Sequence, residues 1–233
     1  YYRKLLSADV LAIPTVGAFN LHGSLLPSYR GCAPANWVIV NGETETGITT
    51  MMMDEGMDTG AMLLQEALPI FPDDTAGTLA PRLAVLGGRL LVETIAKLKA
   101  GTLTPQPQNH ALATMAPPLK KEDGAIDWMT SAISLANRVR GLSPWPGAYT
   151  YFGGERWMVW SAVQSPVKSD AIPGTILEVT KQSILVATGE GGLALREIQP
   201  ANSKRLTVAQ YLAGHRVSKG QRFDAVPPSE RPA

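Results

Sequence analysis

The chain has 233 residues, is 45% hydrophobic and 18% charged, and carries a formal net charge of +1. That composition suits a globular protein of one or two domains and excludes an intrinsically disordered chain. No run of about eighteen apolar residues is present, so no membrane-spanning helix is expected, and the single cysteine, Cys32, excludes an internal disulfide or a cysteine-cluster metal site and fits a reducing, cytoplasmic compartment.

Residues 1–10 read as the end of a helix, and 11–17 turn through Pro14 and Gly17. Ala18–His22 reads as a short buried strand closed by Gly23 and Ser24, followed by a loop over 23–32 held by Pro27 and Gly31. Ala33–Val40 suits a helix with Pro34 in its first turn, where a missing N–H costs little, and Asn41-Gly42 ends it. Thr46–Met53 is a second strand candidate, Asp54–Gly60 a turn, and Ala61–Ile70 a third strand or extended ribbon. Asp73-Asp74-Thr75 offers caps for a helix that keeps apolar spacing through Leu79, Leu83, Leu86, Leu90, Ile95 and Leu98 and stops near Gly101. Strands alternating with helices predict an α/β layer with a mainly parallel sheet.

From residue 102 the composition changes. The segment 104–119 is rich in Pro, Gln and Thr and nearly uncharged, which predicts a linker. Beyond it, Gly124–Trp128 and a helix over Ala132–Arg140 open a second unit. Short β-rich runs follow at Ala148–Phe152, Arg156–Trp160, Thr175–Val179, Ser183–Ala187 and Gly192–Ile198, which predict a small antiparallel barrel of OB type. Leu206–Gly214 suits a short helix, and the Pro-rich end over 226–233 reads as a frayed tail. Charge is uneven: residues 1–117 hold 7 Lys/Arg against 10 Asp/Glu, and residues 118–233 hold 14 against 10. The positive half suits a polyanion, or simply a solvated surface.

Asn20 and His22 lie two apart at a strand end, so they face the same side. Ligands of open α/β sheets bind beyond the carboxyl ends of strands. An amide beside an imidazole suits polarising a carbonyl and holding the oxyanion of a tetrahedral intermediate. The imidazole also moves protons near neutral pH. Asp58, after the next strand, suits fixing the His22 tautomer or taking a proton from an attacking nucleophile. None of the three is a convincing nucleophile, which favours direct transfer between two bound substrates. Each also has a structural reading: His22 as a satisfied strand-end residue, Asn20 as a turn cap, Asp58 as a turn former before Thr-Gly.

The string Asn20-Leu21-His22-Gly23-Ser24-Leu25-Leu26-Pro27-Ser28-Tyr29-Arg30-Gly31, with Gly56-Met57-Asp58-Thr59-Gly60 downstream, resembles the signature of the folate-dependent formyltransferases. The resemblance implies 10-formyltetrahydrofolate as formyl donor, an amine as acceptor and no metal. By position it makes Asn20, His22 and Asp58 catalytic, and Ser24, Leu25, Leu26 and Pro27 the folate-contacting loop. It implies a partial Rossmann-like formyltransferase domain over 1–103, a linker over 104–119 and an OB-like barrel domain over 120–225. The chain opens Tyr-Tyr-Arg-Lys without an initiator Met or a signal peptide, and the family's first strands and helices would precede Tyr1, so the catalytic domain reads as N-terminally truncated.

The second half resembles the C-terminal domain of the tRNA-acting members, through Lys120-Lys121-Glu122-Asp123-Gly124, Ile126-Asp127-Trp128, Arg138–Arg140 and Pro144-Trp145-Pro146-Gly147-Ala148. This implies an aminoacylated initiator tRNA, methionyl-tRNA, as acceptor in translation initiation, handled by a monomer. The corresponding phosphate contacts are Lys120, Lys121, Arg138, Arg140, Lys204 and Arg205, with ordinary surface charge as the alternative. Gly23 and the stretch Ala35–Gly47 are also similar to UDP-amino-sugar formyltransferases of lipid A modification. A reading of another class is a non-catalytic RNA-binding module on a degenerate scaffold.

Overall fold

A computed structural model describes residues 5–225 and divides them into two compact units. Of the described residues, the first holds those up to Ile39 together with Glu43–Leu119, and the second holds Val40–Gly42 and those from Lys120 onward. The start of the helix expected over 1–10 and the tail expected over 226–233 lie outside the described residues. A short helix α1 occupies Ala8–Leu11.

The first unit is built on a three-stranded sheet in the order β1 (Phe19–His22), β3 (Glu45–Met52), β4 (Met62–Pro69). Between β1 and β3 come β2 (Arg30–Gly31) and helix α2 (Pro34–Val40). The long helix α3 (Ala76–Lys99) packs on β3 and β4. Its apolar stripe of Leu79, Leu83, Leu86 and Leu90 meets Ile48, Val38, Ile39 and Ile70 in one core. Close packing of α3 on the sheet uses Gly87, where an added Cβ would sit 3.0 Å from the Leu21 side chain.

Both ends of α3 follow local chemistry. Thr75 accepts from the Thr78 N–H while the Thr78 hydroxyl accepts from the Thr75 N–H, a reciprocal cap. At the other end Gly101 adopts φ +66, and the N–H groups of Gly101 and Thr102 bond back to Leu98 and Lys97.

The expected mainly parallel sheet is not found among the described residues: β1 pairs with β3, and β3 with β4, antiparallel. The chain leaves β1 at His22 and enters β3 at the same end of the sheet, because His22 lies opposite Thr49 and Phe19 opposite Met52. Helix α2, only 7 residues long, does not carry the chain back along the strands as a crossover helix must. The β3–β4 connection contains no helix at all. The sole parallel pair of named strands is β2 with β5 (Met115–Ala116).

Segment 104–119 is also corrected, since it packs onto the first unit instead of running free as a linker. Gln106 exchanges backbone hydrogen bonds with Met62, Gln108 is buried, and Met115–Ala116 extends β2. Its prolines and glutamines read as a tether by composition, but its backbone and side-chain amides are bonded to first-unit residues.

In the second unit helix α4 (Ala132–Gly141) packs on an antiparallel sheet. The sheet runs β12 (Phe223–Asp224), β6 (Ala148–Phe152), β7 (Glu155–Ser165), β10 (Gly192–Pro200), β9 (Ile184–Ala187), β8 (Ile176–Val179). Strand β11 (Leu206–Thr207) flanks β10 and leads into helix α5 (Val208–Leu212). The far edge of β8 is bonded by residues 220–223, and Phe223 pairs with Phe152 of β6, so the hydrogen bonding returns on itself. Trp157, Phe223, Ile126, Ile176, Leu193 and Leu195 fill the interior. The five strands expected from sequence are present, with β7 running five residues past Trp160.

Asp74 anchors the start of α3 by accepting from the Phe71 N–H, the Thr78 hydroxyl and the Arg82 guanidinium. Burial by itself raises the Asp74 pKa, but these donors and the Arg82 charge outweigh it and hold the carboxyl below its ordinary value. A depressed carboxyl contributes stability that is full above the unfolded-state value, about 3.9, and is lost as pH falls through the lower folded-state value. Asp74→Asn is expected to lower unfolding free energy by about 1–3 kcal/mol near neutral pH. The gap should narrow on acidification below about pH 4, as urea unfolding at the two pH values will show.

Candidate active site

Strand β1 ends in Asn20-Leu21-His22 against β3. Alternation puts the Asn20 and His22 side chains on one face. The Asn20 side chain makes no hydrogen bond to the described residues, and it is half-buried. His22 is buried, 5% exposed, and both its ring nitrogens face acceptors. Nε2 lies 2.8 Å from the Tyr29 carbonyl oxygen, and Nδ1 lies 3.5 Å from Asp58 Oδ2. A carbonyl only accepts, so Nε2 carries the hydrogen. Nδ1 then faces the Asp58 carboxylate.

Both neighbours of the ring sit in the left-handed backbone region, Tyr29 at φ 60 and Asp58 at φ 53. Such conformations are uncommon outside glycine and need support from their surroundings. Tyr29 receives it from Thr114, whose hydroxyl accepts from the Tyr29 N–H at 2.9 Å. Asp58 receives it from the Gly31 N–H, which donates to Oδ2 at 2.8 Å. Gly31 is at φ +117, and a Cβ there would stand 2.7 Å from the Ala116 carbonyl oxygen, so only glycine lets β2 approach β5 and offer this N–H.

The loop 24–27 follows His22 directly. Its shape is fixed by Thr49 on β3 and Gln65 on β4. The Thr49 hydroxyl donates to the Ser24 carbonyl at 2.7 Å and accepts from the Leu26 N–H at 3.1 Å. Gln65 Nε2 donates to the Leu26 carbonyl at 2.8 Å. The Ser24 hydroxyl is fully buried and donates to the Ser28 carbonyl. These bonds hold the loop's form, and it presents the half-buried apolar surface of Leu25 and Pro27.

Sequence reasoning missed Thr49, Gln65, Arg30, Gln108 and Thr114. Thr49 is a polar residue in an apolar strand that follows the loop string, which is the hint the sequence carries, and Gln108 and Thr114 lie in the supposed linker.

Of the six cations expected to meet phosphate, Lys120, Lys121 and Lys204 are exposed and form no ion pair among the described residues. Arg205 pairs with Glu197 and lies over the Trp160 ring at 5.3 Å. Arg138 is half-buried and donates to the Asp123 carbonyl, pinning the turn Lys121–Gly124. Arg140 donates to Asn137 Oδ1. No helix among the described residues is long and apolar enough to cross a membrane, and no described cluster of His, Cys, Asp and Glu could hold a metal.

Residues 1–95 match the family described as "Formyl transferase", and residues 118–216 match "Formyl transferase, C-terminal domain". The chain belongs to the formyl transferase family. It is similar to the methionyl-tRNA formyltransferase of Acetivibrio thermocellus, 48% identical over 221 residues that cover 94% of this chain and 71% of that protein. A methionyl-tRNA formyltransferase of Solibacter usitatus is 46% identical over 222 residues, 95% of this chain and 71% of that protein. Among solved structures, the fold is shared with the N-formyltransferase of Helicobacter canadensis bound to folinic acid and dTDP-3-aminofucose (TM-score 0.62, 20% identity, 81% of this chain and 66% of that one). It is shared too with Aquifex aeolicus HypX bound to tetrahydrofolic acid (TM-score 0.61, 17% identity, 87% and 38%).

Thr49→Val keeps the shape of the side chain but leaves the Leu26 N–H and the Ser24 carbonyl without their partner. It is expected to cost about 1–3 kcal/mol in urea unfolding, with Thr49→Ser recovering most of the loss.

Proposed function

We propose that this chain transfers a formyl group from 10-formyltetrahydrofolate to the amino group of methionyl-tRNA, in translation initiation. The carrying observation is that similarity to methionyl-tRNA formyltransferases runs through both units at 46–48% identity, with the His22–Asp58 pair assembled in the first. The folate supplies the formyl group, and the aminoacyl group of the tRNA supplies the amine that receives it.

The Asn20 amide donates to the formyl oxygen as it gains charge. The His22 Nδ1–Asp58 Oδ2 pair takes the proton that the attacking amine releases and can return it to the departing nitrogen. Asp58 orients the ring through Nδ1 while the Tyr29 carbonyl holds Nε2. Leu25 and Pro27, on the loop Ser24–Pro27, offer the donor an apolar, preformed surface. Its fixed backbone supports this assignment, since a loop held by Thr49 and Gln65 needs no ordering when the donor binds.

We read residues 120–225 as an OB-type barrel domain, a reading supported by the returning hydrogen bonds of its sheet, and 1–103 with the packed segment 104–119 as the catalytic domain. Lys120, Lys121 and Lys204 serve as phosphate contacts for the tRNA, with Arg140 and Arg205 beside them and Arg138 holding the turn that carries the first two. The chain acts as a monomer in the cytoplasm.

His22→Ala is expected to lower kcat by about 10²–10⁴-fold and Asn20→Ala by about 10²–10³-fold, with little change in KM for the donor. Turnover close to that of the unsubstituted protein in His22→Ala rules out the role given to the imidazole. With one folate donor, methionyl-tRNA should be formylated and a UDP-linked amino sugar should not. Lys120→Ala with Lys121→Ala should raise KM for the tRNA and flatten its rise with salt, because fewer counterions are released on binding.

A further inference from the structure

Gln108 lies in the segment whose composition resembles a linker, yet it is 5% exposed and every polar atom of its side chain is engaged around the Asp58 turn. Its Nε2 donates to the Asp58 carbonyl and to the Gly60 carbonyl, each at 2.8 Å. Its Oε1 accepts from Arg30 Nε at 3.0 Å and from Arg30 Nη2 at 2.6 Å. The orientation of the amide follows from its neighbours: carbonyls only accept and a guanidinium only donates. Arg30 Nη2 also reaches His110 Nδ1 at 3.1 Å, so the guanidinium, 6% exposed, is held on both sides by residues of the same segment.

The consequence falls on Asp58. Its backbone is left-handed, and its carboxylate must stay within reach of His22 Nδ1. The Gly31 N–H fixes the carboxylate end, and Gln108 fixes the backbone end on both sides of Thr59. Arg30 and Gly31 are neighbours in β2, so the two restraints share one strand. We propose that Gln108 is a positioning residue of the formyl transfer: its side-chain amide ties the Asp58–Gly60 turn to Arg30 and so holds the Asp58 carboxylate against His22. Gln108 does not touch the reacting groups. This inference rests on the role of Asp58 proposed above.

Gln108→Glu separates the two halves of the amide. It retains an acceptor for Arg30 and replaces the donor to the two carbonyls with an oxygen that repels them. The experiment is a double-substitution cycle with Asp58→Asn, read by steady-state formyl transfer from 10-formyltetrahydrofolate to methionyl-tRNA. A misplacement on the order of 1 Å in a catalytic group costs about 10²-fold, so Gln108→Glu alone is expected to lower kcat by about 10–10²-fold with KM for both substrates within about twofold. In the Asp58→Asn background the same substitution is expected to change kcat by less than about twofold. Equal losses in both backgrounds, or an unchanged kcat in Gln108→Glu, overturn the proposal. If Gln108→Glu does not accumulate as folded protein, Gln108→Asn, one methylene too short to bridge Arg30 and the turn, goes through the same cycle. Failure of both to fold assigns Gln108 a purely structural role and also overturns it. Full turnover in Asp58→Asn alone is a separate outcome that removes the role of Asp58 itself.

Discussion

The imidazole of His22 is clamped between two residues that both occupy a backbone conformation their side chains disfavour. Tyr29 presents its carbonyl to Nε2, and Asp58 presents its carboxylate to Nδ1. Three non-glycine residues have positive φ among those described, and these are two of them. A left-handed residue costs on the order of 1–2 kcal/mol, so each persists only where its surroundings over-determine it. Here the surroundings are the Thr114 hydroxyl, the Gly31 N–H and the Gln108 amide. The rest of the first unit exists in service of that clamp: β1 delivers His22, β3 and β4 hold the loop beyond it, and α3 makes the strands rigid by closing the core behind them.

The proposed transfer uses no nucleophile among these residues. A buried imidazole whose two nitrogens face a carbonyl and a carboxylate is fixed in tautomer and in ring orientation. Both of its nitrogens are occupied by these neighbours. Asn20, two residues earlier on the same strand face, leaves its amide unengaged by the described residues. The proposed transfer gives one group a proton to manage and the other an oxygen. Direct passage of an acyl group between two bound partners asks for those two tasks.

How much of this was readable beforehand depends on whether a feature is local. The ends of α3 were readable because Asp73-Asp74-Thr75 and Gly101 carry their own hydrogen-bonding logic. Asn20, His22 and Asp58 had structural readings by position alone and were singled out by the resemblance of the surrounding string; the structure brings His22 Nδ1 within 3.5 Å of Asp58 Oδ2. Strand direction was not: alternating strands and helices suggested crossovers, whereas the chain re-enters the sheet at the end it left, and nothing within α2 signals that. Gln108 was invisible for a related reason. It serves backbone carbonyls of residues fifty positions away, and an uncharged amide among prolines leaves no periodicity to detect. The composition of 104–119 described what the segment lacks, not what it bonds to.

Charge in the second unit gives the same lesson in electrostatic terms. Counting Lys and Arg treats all cations alike, but an arginine whose guanidinium pins a turn or pairs with a carboxylate has already exchanged water for protein partners. Arg138 on the Asp123 carbonyl and Arg205 on Glu197 are in that position. Moving either onto a phosphate means breaking what it holds. An exposed lysine on a flexible stem gives up only solvent and its own rotamer freedom, and each phosphate it neutralises releases a counterion. In the proposed function this favours Lys120, Lys121 and Lys204 over Arg138 and Arg205 as the phosphate contacts.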